Sequence, residues 1–246
     1  MSNYSGSIIV SPQRAAYERA MQITSGNPDI IVHEKLLRLE QALVIGRNQY
    51  TFDLFQNNGA DRPGEIKLNR NDLFLAAGMA LCLTKQVSSS DTTTGNNYLH
   101  THPDPQFFVG TPGAGAEEHA CLETIYNGTT TFRTSPVERL REFHNQMFRY
   151  VPERGIMKQA APQIKDEKSM YGPGNEQKGF YQLVPNIVID GLENNYVDVN
   201  LAKGDIAVID GSVNAAGAAA TTRNVLVVLI SGFVIVNGAQ RGLKWF

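Results

Sequence analysis

Two histidines separated by one residue, His100 and His102, have the type and spacing that could bind a metal ion. On a β-strand, residues two apart project from the same face, so both imidazoles would point the same way. Neutral imidazole is a common ligand of zinc and other transition metals. The chemistry that this pair could supply is therefore metal coordination.

The segment around this histidine pair resembles the first motif of the cupins, in which a glycine precedes His-x-His and a glutamate and a glycine follow it. Gly95 and Gly110 stand in for the two glycines, with Gly95 one residue closer to the pair than the motif has it. Asp104 or Gln106 occupies the glutamate position, and prolines on both sides of Asp104 interrupt the strand. The resemblance implies a metal-binding protein. The alternative, which we favour, is two surface histidines beside a proline-rich loop with no metal or other cofactor.

Other catalytic motifs are absent from the sequence. It has no G-x-S-x-G elbow, no phosphate-binding loop, no dinucleotide-binding glycine motif and no Cys-x-x-Cys. Glu117, Glu118 and His119 could complete a site, but nothing in the sequence places them beside the histidine pair. We therefore expect no enzyme and no catalytic residue.

Composition restricts the partners. The 246 residues are 42% hydrophobic, enough to bury a core within one large domain. Lys and Arg total 22 and Asp and Glu total 24, which gives a net charge of -2. Without an excess of positive charge to hold a phosphate backbone, we expect no sequence-specific binding to nucleic acid.

Targeting signals and disulfides are not expected either. Residues 1–10 have no basic start and a short apolar run, which does not fit a signal peptide. The longest apolar stretch, residues 225–236, is broken at Ser231 and Gly232 and is shorter than the roughly 20 residues of a membrane helix. The two cysteines, Cys82 and Cys121, are typical of small core residues in a chain made in a cytoplasm.

Two helices are predicted from their start signals. The first begins at Pro12 after the N-cap Ser11 and ends near residue 26. The second, over residues 135–152, begins with the capping box Ser-Pro-Val-Glu and ends at a proline. Residues 33–45 fit either a helix or a strand.

The rest of the chain has the two-residue periodicity and the turn signals of β-strands. About ten strands with two or three short helices in the connections predict a mainly β fold, a jelly-roll-like β-sandwich or barrel. The predicted strands cover residues 50–54, 66–68, 73–83, 106–109, 122–132 with a hairpin turn at Asn127-Gly128, 181–189, 196–201, 206–209, 225–230 and 233–236.

The strand over residues 73–83 is apolar or small on both faces, which predicts a cover on each side: a second sheet, and a neighbouring element or subunit. A buried helix is the alternative. The residues expected on one face are Leu73, Leu75, Ala77, Met79, Leu81 and Leu83.

As a whole, the chain resembles bacteriophage virion structural proteins, especially jelly-roll capsid or capsid-associated subunits. The resemblance rests on the order of the elements: a helical or arm segment at residues 1–49, strand-rich halves, and a long loop or arm at residues 153–179. It implies a single domain that forms symmetric oligomers with copies of itself and other virion proteins. The implied location is the virion, assembled in the host cytoplasm.

Subunit contacts are predicted at four residues. Leu73 and Leu75 lie on the doubly apolar strand, and Trp245 and Phe246 are two aromatic residues at the end of the chain. Exposed aromatic residues also stack on sugars, so a carbohydrate-binding β-sandwich is the remaining alternative. The aromatic residues that suggest it are Tyr98, Phe107, Phe108 and Trp245.

Overall fold

The computed structural model describes residues 12–25, 27, 29–44, 46–56, 64–87, 99, 123–134, 138–148, 180–203 and 222–243. Its elements are α1 (Pro12–Ile23), β1 (Val32–Ala42), β2 (Gln49–Asp53), β3 (Leu73–Val87), β4 (Thr129–Thr134), β5 (Glu138–His144), a 3-10 helix (Asn145–Phe148), β6 (Tyr181–Asp190), β7 (Asn195–Asn200) and β8 (Thr222–Ile235).

The strands form two four-stranded antiparallel sheets. Sheet A has the order β1-β8-β3-β6, and sheet B has the order β2-β7-β4-β5. The first half of the chain therefore pairs with the second half in reverse order: β1 with β8, β2 with β7, β3 with β6 and β4 with β5. A long hairpin rolled into two sheets gives this arrangement, which is the strand order of a jelly roll.

The predicted mainly β, jelly-roll-like sandwich is thus confirmed. The barrel alternative is wrong, because the strands that the structure describes form two separate sheets rather than one closed sheet.

Apolar side chains from both sheets fill the space between them. Tyr50 and Phe52 on β2, Phe74 on β3 and Phe132 on β4 are all at most 2% exposed and belong to one core cluster. Alternate residues of each strand reach this core, as the pleat requires. Burying a side chain of this size stabilises the fold by about 1.5–3 kcal/mol, so the core is the main source of stability.

A β-bulge divides β3 into two segments. The positions whose side chains point into the core are odd-numbered in one segment and even-numbered in the other. The pairing of β3 with both of its neighbours shifts between Ala76 and Gly78. One extra residue moves every later side chain to the other face. The predicted strand is confirmed, but its expected single face is wrong: Leu73 and Leu75 face outward, whereas Met79, Leu81 and Leu83 belong to the core cluster.

The predicted helix over residues 135–152 is wrong. Residues 138–144 form β5, which pairs with β4, and the chain then makes one 3-10 turn. The capping box and apolar spacing are local signals, whereas the strand buries Phe143 against Phe132 with the ring centroids 6.3 Å apart. Tertiary packing therefore outweighs local helix propensity here.

The strand predicted over residues 122–132 is wrong at its start. Residues 123–126 form a helical turn rather than a strand, and the expected turn at Asn127-Gly128 leads into β4. A Cβ atom on Gly128 would lie 1.8 Å from the carbonyl oxygen of Asn200, so only glycine fits this close approach. The ambiguous residues 33–45 form mainly β1.

The expected break at Ser231 and Gly232 is a close approach between strands instead. β8 continues through both residues, and a Cβ on Gly232 would lie 2.1 Å from the carbonyl oxygen of Leu75. Gly232 therefore lets β8 pass the bulge of β3 without a steric clash.

We expect Gly232→Ala to lower the free energy of unfolding by about 2 kcal/mol or more, because the methyl group would collide with the backbone of β3. Gly46→Ala is the matched control. Gly46 has open space around it but a φ of 81°, so its substitution should cost about 1 kcal/mol from backbone strain alone. Urea denaturation measures both, and an equal or smaller loss at Gly232 would contradict the close approach.

Cys82 is fully buried on the outer face of sheet A, where it packs with Leu99, Val225 and Val227. Burial in this apolar cluster raises the pKa of the Cys82 thiol from 9.0 to about 12. The predicted small core residue is confirmed at this position, and Cys121 lies outside the described residues.

We expect the Cys82 thiol to resist iodoacetamide in the folded protein and to be alkylated after unfolding in urea, as peptide mass spectrometry can show. Stability should fall as pH rises from about 9 towards about 12, since the unfolded thiol loses its proton there while the folded one keeps it. Cys82→Ala should make that fall shallower. Rapid alkylation of the folded protein would refute the burial.

Candidate subunit-contact surface

Helix α1 covers one end of the outer face of sheet A, over β3, β6 and β8. Ala20 of the helix packs on Leu73, Leu75, Val188 and Ile235, and the side chains of all five residues are at most 9% exposed. The two leucines predicted for a subunit interface thus contact a helix of their own chain. This helix is the neighbouring element that the doubly apolar strand requires.

The other residues that the sequence singles out lie outside the described residues. They are His100 and His102, Glu117 to His119, the arm at residues 153–179, and the terminal pair Trp245 and Phe246. Their proposed roles stay predictions.

A strip of exposed apolar side chains crosses the β1 side of the outer face of sheet A. Leu36 on β1 is 37% exposed, Ile66 is 47% exposed and Tyr17 on α1 is 44% exposed. The ring of Tyr17 packs on Phe233 of β8, with the centroids 5.5 Å apart. These four residues, Tyr17, Phe233, Leu36 and Ile66, are called the β1 strip.

The β1 strip is continuous because of the strand register. Leu36 lies opposite Ser231 and Glu34 lies opposite Phe233, so Leu36 and Phe233 are diagonal neighbours on one face. Arg38, two residues after Leu36 on the same face, exchanges both backbone hydrogen bonds with Ile66, at 3.0 and 2.8 Å. The strip therefore runs from α1 across β8 and β1 to Ile66.

Residues 64–68, called the strap, run along the edge of β1. Beyond the Arg38–Ile66 pair, the amide of Leu68 donates to the carbonyl of Leu54 at 2.9 Å, and Gln56 donates back to Leu68 at 2.9 Å. The strap thus connects the edge of sheet A with the end of β2. This side of the sandwich is closed by backbone hydrogen bonds.

Charged side chains fix the strap to β1. Glu65 accepts a hydrogen bond from the amide of Glu40 at 3.0 Å and pairs with Lys67 at 3.2 Å. Glu40, with 2% of its side chain exposed, also accepts a hydrogen bond from Arg38 at 2.6 Å. Each buried carboxylate therefore has a partner, as burial of charge requires.

The opposite side of the sandwich is closed by side chains. Arg141 on β5 donates to the carbonyl oxygens of Val184 and Pro185 on β6, at 2.7 and 3.1 Å. The rings of Phe143 on β5 and Tyr181 on β6 meet edge to face, with the centroids 5.5 Å apart. On this side, β5 and β6, the edge strands of the two sheets, therefore contact each other through side chains.

The outer face of sheet B is polar. Asp198 on β7 accepts two hydrogen bonds from Arg133 on β4, at 2.7 and 3.2 Å, and one from the hydroxyl of Thr51 on β2, at 2.6 Å. These hydrogen bonds from Arg133 to the Asp198 carboxylate raise the pKa of the guanidinium. The network joins three of the four strands of the sheet through one carboxylate.

No cluster of three or more metal-ligating side chains occurs among the residues that the structure describes. In the same part of the chain, no helix has the length and apolar character needed to cross a bilayer. Comparison with models of known families gives no match, and comparison with curated proteins finds no related sequence.

Sequence reasoning missed both surfaces. Residues 33–45 fit both a helical and a strand period, so the sequence does not show which of their side chains are exposed. In the structure, Leu36 is exposed and Leu37 and Leu39 are buried on the opposite face of β1. The Arg133–Asp198 pair spans 65 residues, so no local signal connects its members.

We expect Asp198→Asn to lower the free energy of unfolding by about 1–3 kcal/mol, because it leaves the Arg133 guanidinium without its anionic partner. Asp29→Asn, at an exposed turn, is the control and should change stability by less than about 0.5 kcal/mol. Urea denaturation of both variants, with Arg133→Met to complete a double-mutant cycle, tests this. A coupling energy near zero would refute the network.

Proposed function

We propose that this protein is a structural subunit of a virus particle, a bacteriophage capsid protein that self-assembles into symmetric oligomers. The observation that carries the proposal is the jelly-roll strand order, β1-β8-β3-β6 against β2-β7-β4-β5. Viral capsid subunits are a major class of proteins with this architecture, alongside lectins and cupins.

The interior of the sandwich favours a building block over a ligand-binding jelly roll. Aromatic and aliphatic side chains occupy the space between the sheets, and the largest of them are less than 2% exposed. A cupin uses this interior for its metal, and the described core is instead filled with apolar groups.

The sheet edges support the same proposal. Open strand edges pair with other chains without control, so a protein that must assemble in one geometry has to block them. Here the strap occupies the edge of β1 at Arg38, and Arg141 occupies the edge of β6. Assembly is then left to side chains on the outer surface, such as the β1 strip.

The partners of such a subunit are copies of itself and other virion proteins, and its place is the virion, after assembly in the host cytoplasm. The role requires no catalysis. The net charge of -2 argues against strong genome binding by the chain as a whole. Many weak, repeated contacts between subunits would supply the stability of the particle.

We expect the purified full-length protein to form oligomers of defined size at high concentration and closed particles under assembly conditions. Light scattering after size exclusion and negative-stain microscopy measure these two properties. A strict monomer that never forms particles would refute the proposal. Stoichiometric zinc, iron or manganese by elemental analysis, lost in His100→Ala, would favour the cupin-like alternative instead.

A further inference from the structure

We infer that the strap, residues 64–68, is an autoinhibitory cover that can lift off the edge of β1 while the rest of the sandwich stays folded. Once uncovered, β1 pairs edge to edge with β1 of a second copy. The inference goes beyond the proposed function and does not rest on it, since an exposed strand edge is a template for other chains in any protein.

The two ends of the strap are held by different forces. Leu68 is 0% exposed and belongs to the core cluster between the sheets, and its amide donates to Leu54 at 2.9 Å. Ile66 is 47% exposed and Gly64 is also exposed, so the other end buries little apolar surface. Segments with few buried apolar contacts open locally at a lower free energy than the core does. Leu68 is therefore the hinge, and residues 64–67 are the part that can move.

Polar contacts hold the movable part on β1. Ile66 exchanges two backbone hydrogen bonds with Arg38, at 3.0 and 2.8 Å. The Glu65 carboxylate accepts a hydrogen bond from the backbone amide of Glu40 at 3.0 Å and pairs with Lys67 at 3.2 Å. The side chains of Glu65 and Lys67 are only 7% and 10% exposed. Backbone hydrogen bonds and buried charge therefore fasten the free end of the strap.

Buried charge is a fastening that releases at low cost. The side chains of Glu40, Glu65 and Lys67 lose most of their hydration when the strap is closed, with Glu40 only 2% exposed. This loss offsets much of the attraction between charged partners. Lifting the strap returns the same groups to water, so the net free energy of closure is small. Apolar side chains would have no such compensation on release.

Lifting the strap uncovers a continuous strand edge. Alternate residues of an antiparallel strand point their backbone groups to the same side. The hydrogen bonds of Arg38 and Glu40 to the strap place the even-numbered residues of β1 on its free edge. Release of the strap completes this row from Glu34 to Glu40. Every copy that opens exposes the same edge, so two open copies can pair their β1 strands antiparallel about a two-fold axis.

Hydrogen exchange of the full-length protein, followed by NMR, measures the opening. We expect the amides of Arg38 and Ile66 to share one protection factor, because one movement breaks both of their hydrogen bonds. It should be lower than that of the amides that pair β3 with β8, and the amide of Leu68 should stay protected. Equal protection of Ile66 and the β3–β8 amides would overturn the inference, because the strap would then open only with global unfolding.

Glu65→Ala tests the fastening. It removes the acceptor of the Glu40 amide and a partner of Lys67, so we expect protection of the Ile66 amide to fall about tenfold or more. Glu193→Ala, at an exposed turn, is the matched control and should leave that protection unchanged. Unchanged protection of Ile66 in Glu65→Ala would contradict the fastening.

The β3–β8 amides report whether Glu65→Ala remains folded. If it unfolds, Glu65→Gln takes its place, because glutamine keeps an acceptor oxygen and loses only the charge. Protection of the Ile66 amide should then fall by a smaller factor. No fall at Ile66 would count against the role of charge in closing the strap.

A fluorescently labelled peptide with the sequence of β1, residues 32–42, tests the edge pairing. Anisotropy should show about tenfold tighter binding to full-length Glu65→Ala than to wild type or Glu193→Ala, because the edge is open in a larger fraction of its molecules. A control peptide with Leu36→Pro lacks one amide of the row and should bind more weakly. No binding, equal binding of the two peptides, or equal binding to Glu65→Ala and wild type would overturn the pairing.

Discussion

The backbone pairing of β3 with β8 is the interaction on which the rest of the structure depends. These are the two longest strands in the described part of the chain, 15 and 14 residues, and they pair along almost their whole length in the middle of sheet A. Both are apolar on both faces, so they can be stable only with a layer on each side. Sheet B supplies one layer, and α1 and Leu99 contribute to the other.

Closing the sandwich determines which surfaces remain for partners. The strap holds one side at Arg38, and Arg141 with its aromatic neighbours holds the other at Val184 and Pro185. The outer face of sheet B carries a polar network centred on Asp198. In the described part of the chain, the β1 strip is one group of apolar side chains that stays exposed beside α1. The assembly proposed above would therefore use side chains on the outer surface rather than open strand edges.

Local periodicity predicted the strands well where one face is polar, as at Tyr50 and Phe52, and where the segment is long and apolar, as in β3 and β8. The helix predicted over residues 135–152 is wrong. A capping box and a helical spacing are present there, but the pairing of β5 with β4 outweighs both. Local periodicity also misassigned the faces of β3, since the bulge between Ala76 and Gly78 depends on two neighbouring strands. None of the residues proposed for metal binding lies in the described part of the chain.

The sequence by itself determined the fold class, because alternation and turn residues act over a few positions. Only the tertiary structure decided that Leu73 and Leu75 are covered by α1 while Leu36 is exposed. That choice depends on where α1 packs, and the helix lies about 50 residues before Leu73 in the sequence, so no local pattern contains the information.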